Sequence, residues 1–363
     1  MRKILSWWVV LFAAAILPAT RALAAHDGDS HVFSTFLSAE ADFISHKPGE
    51  DDSRVDAVAD VVFSSHAGRW RFFGEVVLAR DEHEIERAQV GYEVADNTVA
   101  WLGRFHQPSS VWNVLFHHGQ FLQTSITRPS MEQWEDEQGL LPQHIVGGMI
   151  ESLIPTTGRD GWRITAAAGL SPRIDAGELE PFVPFRDNGA NLSHASLRLE
   201  WLPDALGENV IGMVASSTRM RREPASSTAQ AGLRPVTVRT AGLFANVGGS
   251  RLRALANLSL LDMRGDDAAA APLRFRTHVA SYVQLESELR TGITLFARQE
   301  MLSNLRDAAY LALLRPPAAR RSVAGVRAQL GLRNAISVEF SRSRIPTPET
   351  LHEVRLQWSA AFP

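Results

Sequence analysis

The last residues of the chain alternate strictly between apolar and polar side chains. Within the run 353–363, one face carries Val354, Leu356, Trp358, Ala360 and Phe362. A repeat of two residues predicts a β-strand with one apolar and one polar face. The strand ends on an aromatic residue one position before the end of the sequence. Because the last strand of a membrane barrel must close the sheet, we predict that Trp358 and Phe362 form an assembly signal.

The N-terminus has the composition of a secretory signal peptide. Arg2 and Lys3 precede an apolar run over residues 4–17, and Ala22-Leu23-Ala24 fits a small-residue cleavage site. We predict a signal peptide at 1–24 and a mature protein at 25–363. The apolar run is short for a membrane anchor, which needs about 20 residues. An exported chain that ends in an amphipathic strand indicates a β-barrel of the bacterial outer membrane.

The same alternation recurs along the mature sequence in segments of about ten residues, as barrel strands require. We count about sixteen segments, and those at 143–153, 209–219 and 235–247 are the weakest because both of their faces are mixed. In the fifth segment Val99, Trp101 and Phe105 are predicted to face lipid, opposite Arg104 and His106. The prediction is therefore an all-β fold, a transmembrane antiparallel barrel of about sixteen strands.

The predicted connections support this topology. With the first strand starting from the periplasm, even-to-odd connections such as 66–68 and 95–97 are short, whereas odd-to-even connections such as 107–142 and 171–191 are mostly long. Short turns at one end and long loops at the other are typical of bacterial barrels. A soluble β-sandwich or β-solenoid is the alternative.

Composition excludes several classes of function. The sequence has no cysteine, so disulfides, thiolate metal sites and a cysteine nucleophile are excluded. Without the predicted signal, the 37 basic residues fall to 34 against 40 acidic ones, which does not favour nucleic-acid binding. Almost all basic residues are arginine, since lysine occurs only at Lys3 and Lys47.

The longest connection, 107–142, is rich in charged and aromatic side chains, and a loop of this length is usually functional. It resembles the loop of the porin superfamily, which follows the fifth strand and folds into the barrel. The run Gly103-Arg104-Phe105-His106-Gln107-Pro108, with the later Arg128-Pro129 and Gly147-Gly148, is also similar to the phosphate-selective porin O/P family. The resemblance implies an outer-membrane channel narrowed by this loop. No lysine follows Lys47 to match the lysines that line the anion site of phosphate channels.

Charged residues on the predicted polar faces indicate a water-filled lumen, because a lipid-facing arginine costs about 2–4 kcal/mol at the membrane midplane. The predicted pore-lining residues are Arg54, Arg69, Arg71, Arg87, Arg104, Arg128, Glu132, Glu135 and Asp136. Glu132, Glu135 and Asp136 are expected to hang from the loop opposite the arginine wall and to set a transverse field. We expect passive diffusion of small hydrophilic solutes or ions, with a preference for anions, and no catalytic residue or cofactor. The expected partners are outer-membrane lipids, the barrel-assembly machinery, the solutes themselves and, if it trimerises, two further copies of the chain.

Two alternatives stay open. The weak metal-ligand candidates are His106, His117, His118 and His144, which with nearby carboxylates have the chemistry to bind zinc or copper but show no fixed ligand spacing. Such a site would favour a non-channel barrel that binds a metal or a partner. A barrel hydrolase is less favoured, because no Gly-x-Ser-x-Gly motif is present.

Overall fold

The computed structural model describes residues 30–45, 51–80, 83–116, 121–133, 135, 139–175, 178–182, 191–221, 233–267, 277–303, 314, 318–345 and 350–362. The predicted signal peptide at 1–24 lies outside these residues. Among the helices of the described part, none has the length and apolar character needed to cross a membrane.

Sixteen antiparallel strands close into one barrel. The barrel strands are β1 (Ser30–Ser45), β2 (Asp51–Ala67), β3 (Trp70–Ala79), β4 (His83–Ala95), β5 (Thr98–His106), β6 (His144–Pro155), β7 (Gly161–Leu170), β10 (Ser193–Leu202), β11 (Val210–Met220), β12 (Leu233–Gly248), β13 (Leu252–Asp267), β14 (Thr277–Arg290), β15 (Ile293–Leu302), β16 (Arg320–Gln329), β17 (Asn334–Arg344) and β18 (Thr350–Phe362). Each strand pairs with its neighbours in chain order, and β18 closes the ring by pairing with β1, where Phe362 lies opposite Thr35. The predicted fold class and strand count are confirmed.

Three shorter elements lie in the connections. A small hairpin, β8 (Arg173–Asp175) and β9 (Glu178–Glu180), stands apart from the barrel sheet. The connection between β5 and β6 contains helix α1 (Val111–Leu115) and a 3-10 turn (Ser130–Glu132).

The two faces of the strands differ as the membrane demands. On β18, Val354, Leu356 and Trp358 are exposed, whereas the alternating residues Gln357 and Ser359 are buried. Apolar side chains thus point outward, as contact with lipid requires, and polar ones point into the interior of the barrel.

One strand departs from the predicted faces. On β5, Leu102 is 69% exposed and Val99 only 8%. Val99 therefore faces inward, whereas the sequence predicted that it faces lipid. Gly103, which follows, has a φ of 138°. This conformation interrupts the two-residue alternation. The orientation of the residues before Gly103 therefore cannot be deduced from that of Arg104 and His106.

A row of glycines crosses three neighbouring strands at this point. Gly103 on β5 lies opposite Gly147 on β6, which lies opposite Gly169 on β7. A Cβ atom on Gly147 would lie 2.1 Å from the carbonyl oxygen of Ala168, so only glycine permits this approach. Beyond the row, every residue from 104 to 113 is buried. β5 continues in the wall to His106, paired with β6, and the covered chain that follows it lies inside the barrel.

An apolar cluster fills part of the interior. Trp112 of α1 is fully buried, and its ring meets those of Phe116 and Tyr282 edge-on at centroid distances of 5.2 and 6.3 Å. The wall residues in the same cluster include Val214, Val236, Val238, Phe244, Leu255, Leu261 and Tyr282. The side of the barrel formed by β11 to β14 therefore has a partly apolar inner face, against which the long loop packs.

Candidate functional site

The connection between β5 and β6 spans the barrel. Counting around the ring in either direction, β15 is the eighth strand from β5, so the two are diametrically opposite. On β15, the Arg298 guanidinium donates through Nη1 to Ser125 Oγ and to the carbonyl oxygen of Thr127, both at 2.9 Å. Nη2 donates to Thr127 Oγ1 at 2.8 Å and to the carbonyl oxygen of Arg128 at 3.2 Å. A loop that begins on one wall is thus held at the other.

Carboxylates of the far wall bind the same loop. Glu339 on β17 accepts hydrogen bonds from the backbone nitrogens of Ile126 at 2.8 Å and Thr127 at 3.2 Å, and from the Thr127 hydroxyl. Glu300 on β15 accepts from the backbone nitrogen and hydroxyl of Ser130 at 2.7 and 2.6 Å. Charged acceptors bond more strongly than neutral ones, so these contacts fix the loop firmly.

Two further wall arginines hold loop carbonyls. Arg327 on β16 donates to the carbonyl oxygens of Gln123 at 2.8 Å and Phe121 at 2.5 Å. Arg198 on β10 donates to the carbonyl oxygen of Ser110 at 2.5 Å. Arg198, Arg298 and Arg327 therefore position the loop, and none of them is among the pore-lining residues predicted from the sequence.

Arg128 also has a different place from the predicted one. Its Nε donates to the carbonyl oxygen of Glu132 at 2.6 Å, and its Nη2 donates to Asn113 Oδ1 at 3.2 Å. Asn113 belongs to α1, whose first turn is capped by the Ser110 hydroxyl. Arg128 is buried and links two parts of the loop, so it does not line a passage.

The acidic residues of the loop are buried as well. Glu132 is 1% and Glu135 3% exposed. Neither therefore presents its charge to open water, whereas the sequence predicted that both set a field across the lumen. Burial raises the pKa of the Glu132 carboxyl, while the Ser110 hydrogen bond and nearby arginines oppose the shift. Glu135 accepts from the backbone nitrogens of Gln143 and His144 at 2.8 and 3.1 Å. The predicted Asp136 lies outside the described residues.

The remaining predicted arginines form ion pairs near the wall or at its ends. The pairs are Arg54 with Asp56, Arg71 with Glu93, Arg87 with Glu75 and Arg104 with Glu84. Arg69 instead lies in the turn between β2 and β3, where its guanidinium carbon is 5.2 Å from the centre of the Tyr92 ring. The carboxylate partners were not predicted as site residues, since nothing in a linear sequence marks which wall charges meet.

Two of the four candidate histidines come together. The rings of His106 and His144 are 5.1 Å apart between centroids, and Glu86 adjoins them. His117 and His118 lie outside the described residues. Trp358 faces outward, and Phe362 lies at the closing edge of the barrel; their role in assembly stays a prediction.

Solved structures with the same architecture are outer-membrane proteins. Outer-membrane expressed OmpT of Vibrio cholerae matches with a TM-score of 0.61 at 10% identity, covering 93% of this chain and 99% of that one. OmpF of Salmonella typhi, in complex with daunomycin, matches with 0.56 at 11% identity over 93% and 99% of the two chains. The outer-membrane channel DcaP of Acinetobacter baumannii matches with 0.55 at 12% identity over 94% and 99%.

No protein-family model matches the sequence, and no curated protein does either. At these identities the likeness shows the fold alone, which is the fold of outer-membrane barrels. The predicted likeness to general porins agrees with these neighbours, whereas a tie to the phosphate-selective O/P family stays a prediction.

Proposed function

We propose that the protein is a passive channel of the bacterial outer membrane for small hydrophilic solutes and ions. The observation that carries the proposal is the loop anchored across the barrel, from β5 to Arg298 on the opposite wall. A loop held inside a wide barrel narrows the lumen, and the chain topology does not require that the lumen be closed. The common fold with an outer-membrane channel, DcaP, supports the same function. No catalytic step and no cofactor belong to this proposal.

The passage runs along the polar side of the barrel. The apolar cluster around Trp112 fills the side of β11 to β14, and water avoids such a surface. The opposite inner wall carries charged side chains, among them Glu40 and Arg355, which form an ion pair at 2.7 Å across β1 and β18. Hydrophilic solutes therefore diffuse past β18 and β1 to β4, where charged side chains replace part of their hydration.

The ion pairs of the lumen give this passage a preference for anions. In the pair of Arg87 with Glu75, the side chains are 22% and 1% exposed. The guanidinium thus meets solvent while the carboxylate lies behind it. The pair of Arg104 with Glu84 has the reverse order, at 3% and 23%. Arg71 and Glu93 follow the first arrangement, at 43% and 29%. Because the pair of Arg104 with Glu84 opposes the others, we expect the preference for anions to be weak.

Planar-bilayer recording on the purified chain tests the function. The wild type should give discrete ohmic conductance steps and a modest preference for chloride over potassium. A variant with residues 111–141 replaced by a short Gly-Ser linker should conduct more, because the bulk across the lumen is removed. Arg71→Gln, which leaves the loop contacts intact, should reduce the chloride preference and leave the conductance nearly unchanged. A correctly folded wild type that gives no conductance steps would refute the channel.

We further propose that the barrel assembles as a homotrimer. One neighbour with this fold, OmpT of Vibrio cholerae, has been solved in a trimer form. Cross-linking in native membranes, followed by mass measurement, should give a species of three chains. A species of one chain only would contradict the trimer and leave the channel proposal standing.

A further inference from the structure

Titratable side chains from three neighbouring strands meet beside the anchored loop. Glu86 comes from β4, His106 from the end of β5 and His144 from the start of β6. Their potential ligand atoms all lie within 4.8 Å of one another, and all three side chains are buried. We propose that Glu86, His106 and His144 bind a divalent transition-metal cation such as Zn²⁺.

The backbone directs Glu86 into this group. The register pairs Glu75 with Arg87 and Val76 with Ile85, so Glu86 is the extra residue of a β-bulge in β4. A bulge turns a side chain away from the regular alternation and is common beside functional sites. Glu86 thereby comes within contact distance of His144 Nε2.

The chemistry of the group suits zinc. Two imidazole nitrogens and one carboxylate are a frequent ligand set, with bond lengths of about 2.0–2.2 Å. Ligand atoms around a tetrahedral ion at these lengths lie about 3.4 Å apart. The present separations of up to 4.8 Å therefore close by side-chain rotation. Glu75 Oε2 lies 3.9 Å from His106 Nε2 and is placed to complete the coordination.

Glu135 of the loop is placed to hydrogen-bond a metal ligand, His144, rather than the metal itself. Its Oε2 lies 2.5 Å from His144 Nδ1, while Nε2 of the same ring faces Glu86. Metal-binding histidines usually donate their second ring N–H to a carboxylate, which fixes the ring and raises the basicity of the ligand nitrogen. Glu135 is itself held by the backbone nitrogens of Gln143 and His144. The metal site would thus be connected directly to the long loop.

Charge balance around the group favours a cation. The carboxylates gathered here are Asp60, Glu75, Glu84, Glu86 and Glu135, and the guanidinium groups are Arg87 and Arg104. Carboxyl groups therefore outnumber guanidinium groups here by five to two. Buried charge of one sign is costly unless it is compensated. A divalent cation removes most of this excess.

The test uses the untagged, full-length mature barrel in detergent, stripped with a chelator. Zn²⁺ alone is titrated by calorimetry, bound zinc is counted by elemental analysis, and Co²⁺ is added separately to record its visible spectrum. The wild type should bind one zinc per chain and give the intense Co²⁺ bands of tetrahedral coordination. His106→Gln should abolish the bands and lower the zinc affinity by more than the about 10–100-fold that loss of a ligand's hydrogen-bonding partner costs, because it removes a ligand atom. Glu135→Gln should weaken binding about 10–100-fold with the stoichiometry still at one.

His194→Gln is the matched control. His194 is also a buried lumen histidine, bonded to Thr218 Oγ1 at 2.9 Å on β10, and its variant should bind zinc as the wild type does. Heat-dependent mobility on gels verifies that each variant is folded, and Glu86→Gln replaces His106→Gln if the latter does not assemble. Absence of stoichiometric zinc in the wild type, or equal binding by His106→Gln and His194→Gln, overturns the proposal. Because conductance is recorded without zinc, that failure leaves the channel proposal untouched.

Discussion

Arg298 and Thr127 join parts of the chain that start on opposite sides of the barrel. The guanidinium Nη2 donates to Thr127 Oγ1 at 2.8 Å, and Nη1 donates to the carbonyl oxygen of the same residue at 2.9 Å. Arg298 also donates through Nε to Glu300 Oε1 at 2.7 Å, which fixes it against the wall. This one side chain thus bonds both to the wall and to the loop that crosses the lumen.

Replacing Arg298 with Gln should release the loop. The change removes the charge facing Glu300 and leaves the carbonyl groups of Thr127 and Arg128 without their donor. Breaking a buried ion pair typically costs about 3–5 kcal/mol. We expect larger and noisier single-channel currents and a lower temperature for the loss of the heat-resistant gel band. Arg71→Gln is the control, because Arg71 pairs with Glu93 on the wall. Equal currents in the wild type and Arg298→Gln would show that Arg298 does not hold the loop in place.

Gly147→Ala should disturb the point where the chain enters the barrel. The added Cβ would lie 2.1 Å from the carbonyl oxygen of Ala168, so the strands must move apart. Overpacking of this kind typically costs about 1–3 kcal/mol. Gly74→Ala is a matched change on β3, where a Cβ meets nothing within 4 Å. Thermal unfolding in detergent should therefore separate the two variants. Equal stability would mean that β6 and β7 can spread without cost.

The alternating pattern predicted the barrel because lipid and lumen impose opposite requirements on neighbouring residues. Over residues 354–359 of β18 this requirement is met at each position, with Leu356 and Trp358 outside and Gln357 inside. Each strand then carries its own local signal, and the number and bounds of the strands follow from counting such signals.

The strand prediction for the segments at 209–219 and 235–247 was weak, and the structure shows the physical reason. Their inner faces carry Val214, Val238 and Phe244, which pack in the cluster around Trp112. The inner faces of β11 and β12 are therefore partly apolar, which weakens the two-residue alternation in these segments. The sequence does not state that a loop distant in the chain covers these strands.

The contacts of the loop were beyond prediction because they are non-local. Ile126 and Glu339 are 213 positions apart, and no spacing rule connects them. Likewise, Glu86, His106 and His144 meet only because three strands are neighbours and a bulge turns Glu86. Nor could the sequence show that Glu132 and Glu135 are buried, because the groups that cover them lie elsewhere in the chain.

Phe362→Asp should reduce assembly of the barrel sharply. The last strand pairs with both β17 and β1, and Phe362 lies opposite Thr35 at the closing seam. An aromatic side chain suits a membrane interface, whereas a carboxylate does not. The measurement is the fraction of chain recovered from outer membranes in the heat-modifiable form. Removal of Pro363 serves as the control and should change the yield little. Full recovery of Phe362→Asp in the heat-modifiable form would show that Phe362 is not part of the assembly signal.

Glu132→Gln should stabilise the barrel at alkaline pH and have little effect in acid. Burial raises the pKa of Glu132 above its ordinary value of 4.5, so over the interval above 4.5 the folded state holds a proton that the unfolded chain releases. The contribution of Glu132 to stability is therefore greatest below 4.5 and is lost as the pH rises through the raised pKa. Glutamine keeps a hydrogen-bonding group beside Ser110 and carries no charge to bury.

The measurement is the temperature at which the heat-resistant gel band disappears, recorded for the wild type and Glu132→Gln at pH 3.5 and pH 8. At pH 8 the gel band of the variant should disappear at a higher temperature than that of the wild type. At pH 3.5 the two temperatures should be equal. Asp160→Asn provides a control of opposite sign, because a hydrogen bond from the Thr156 hydroxyl lowers the pKa of that exposed turn carboxyl. Its loss should lower stability slightly at pH 8. A Glu132→Gln variant less stable than the wild type at pH 8 would show that the ionised carboxylate, held by Arg128 and Arg198, strengthens the loop.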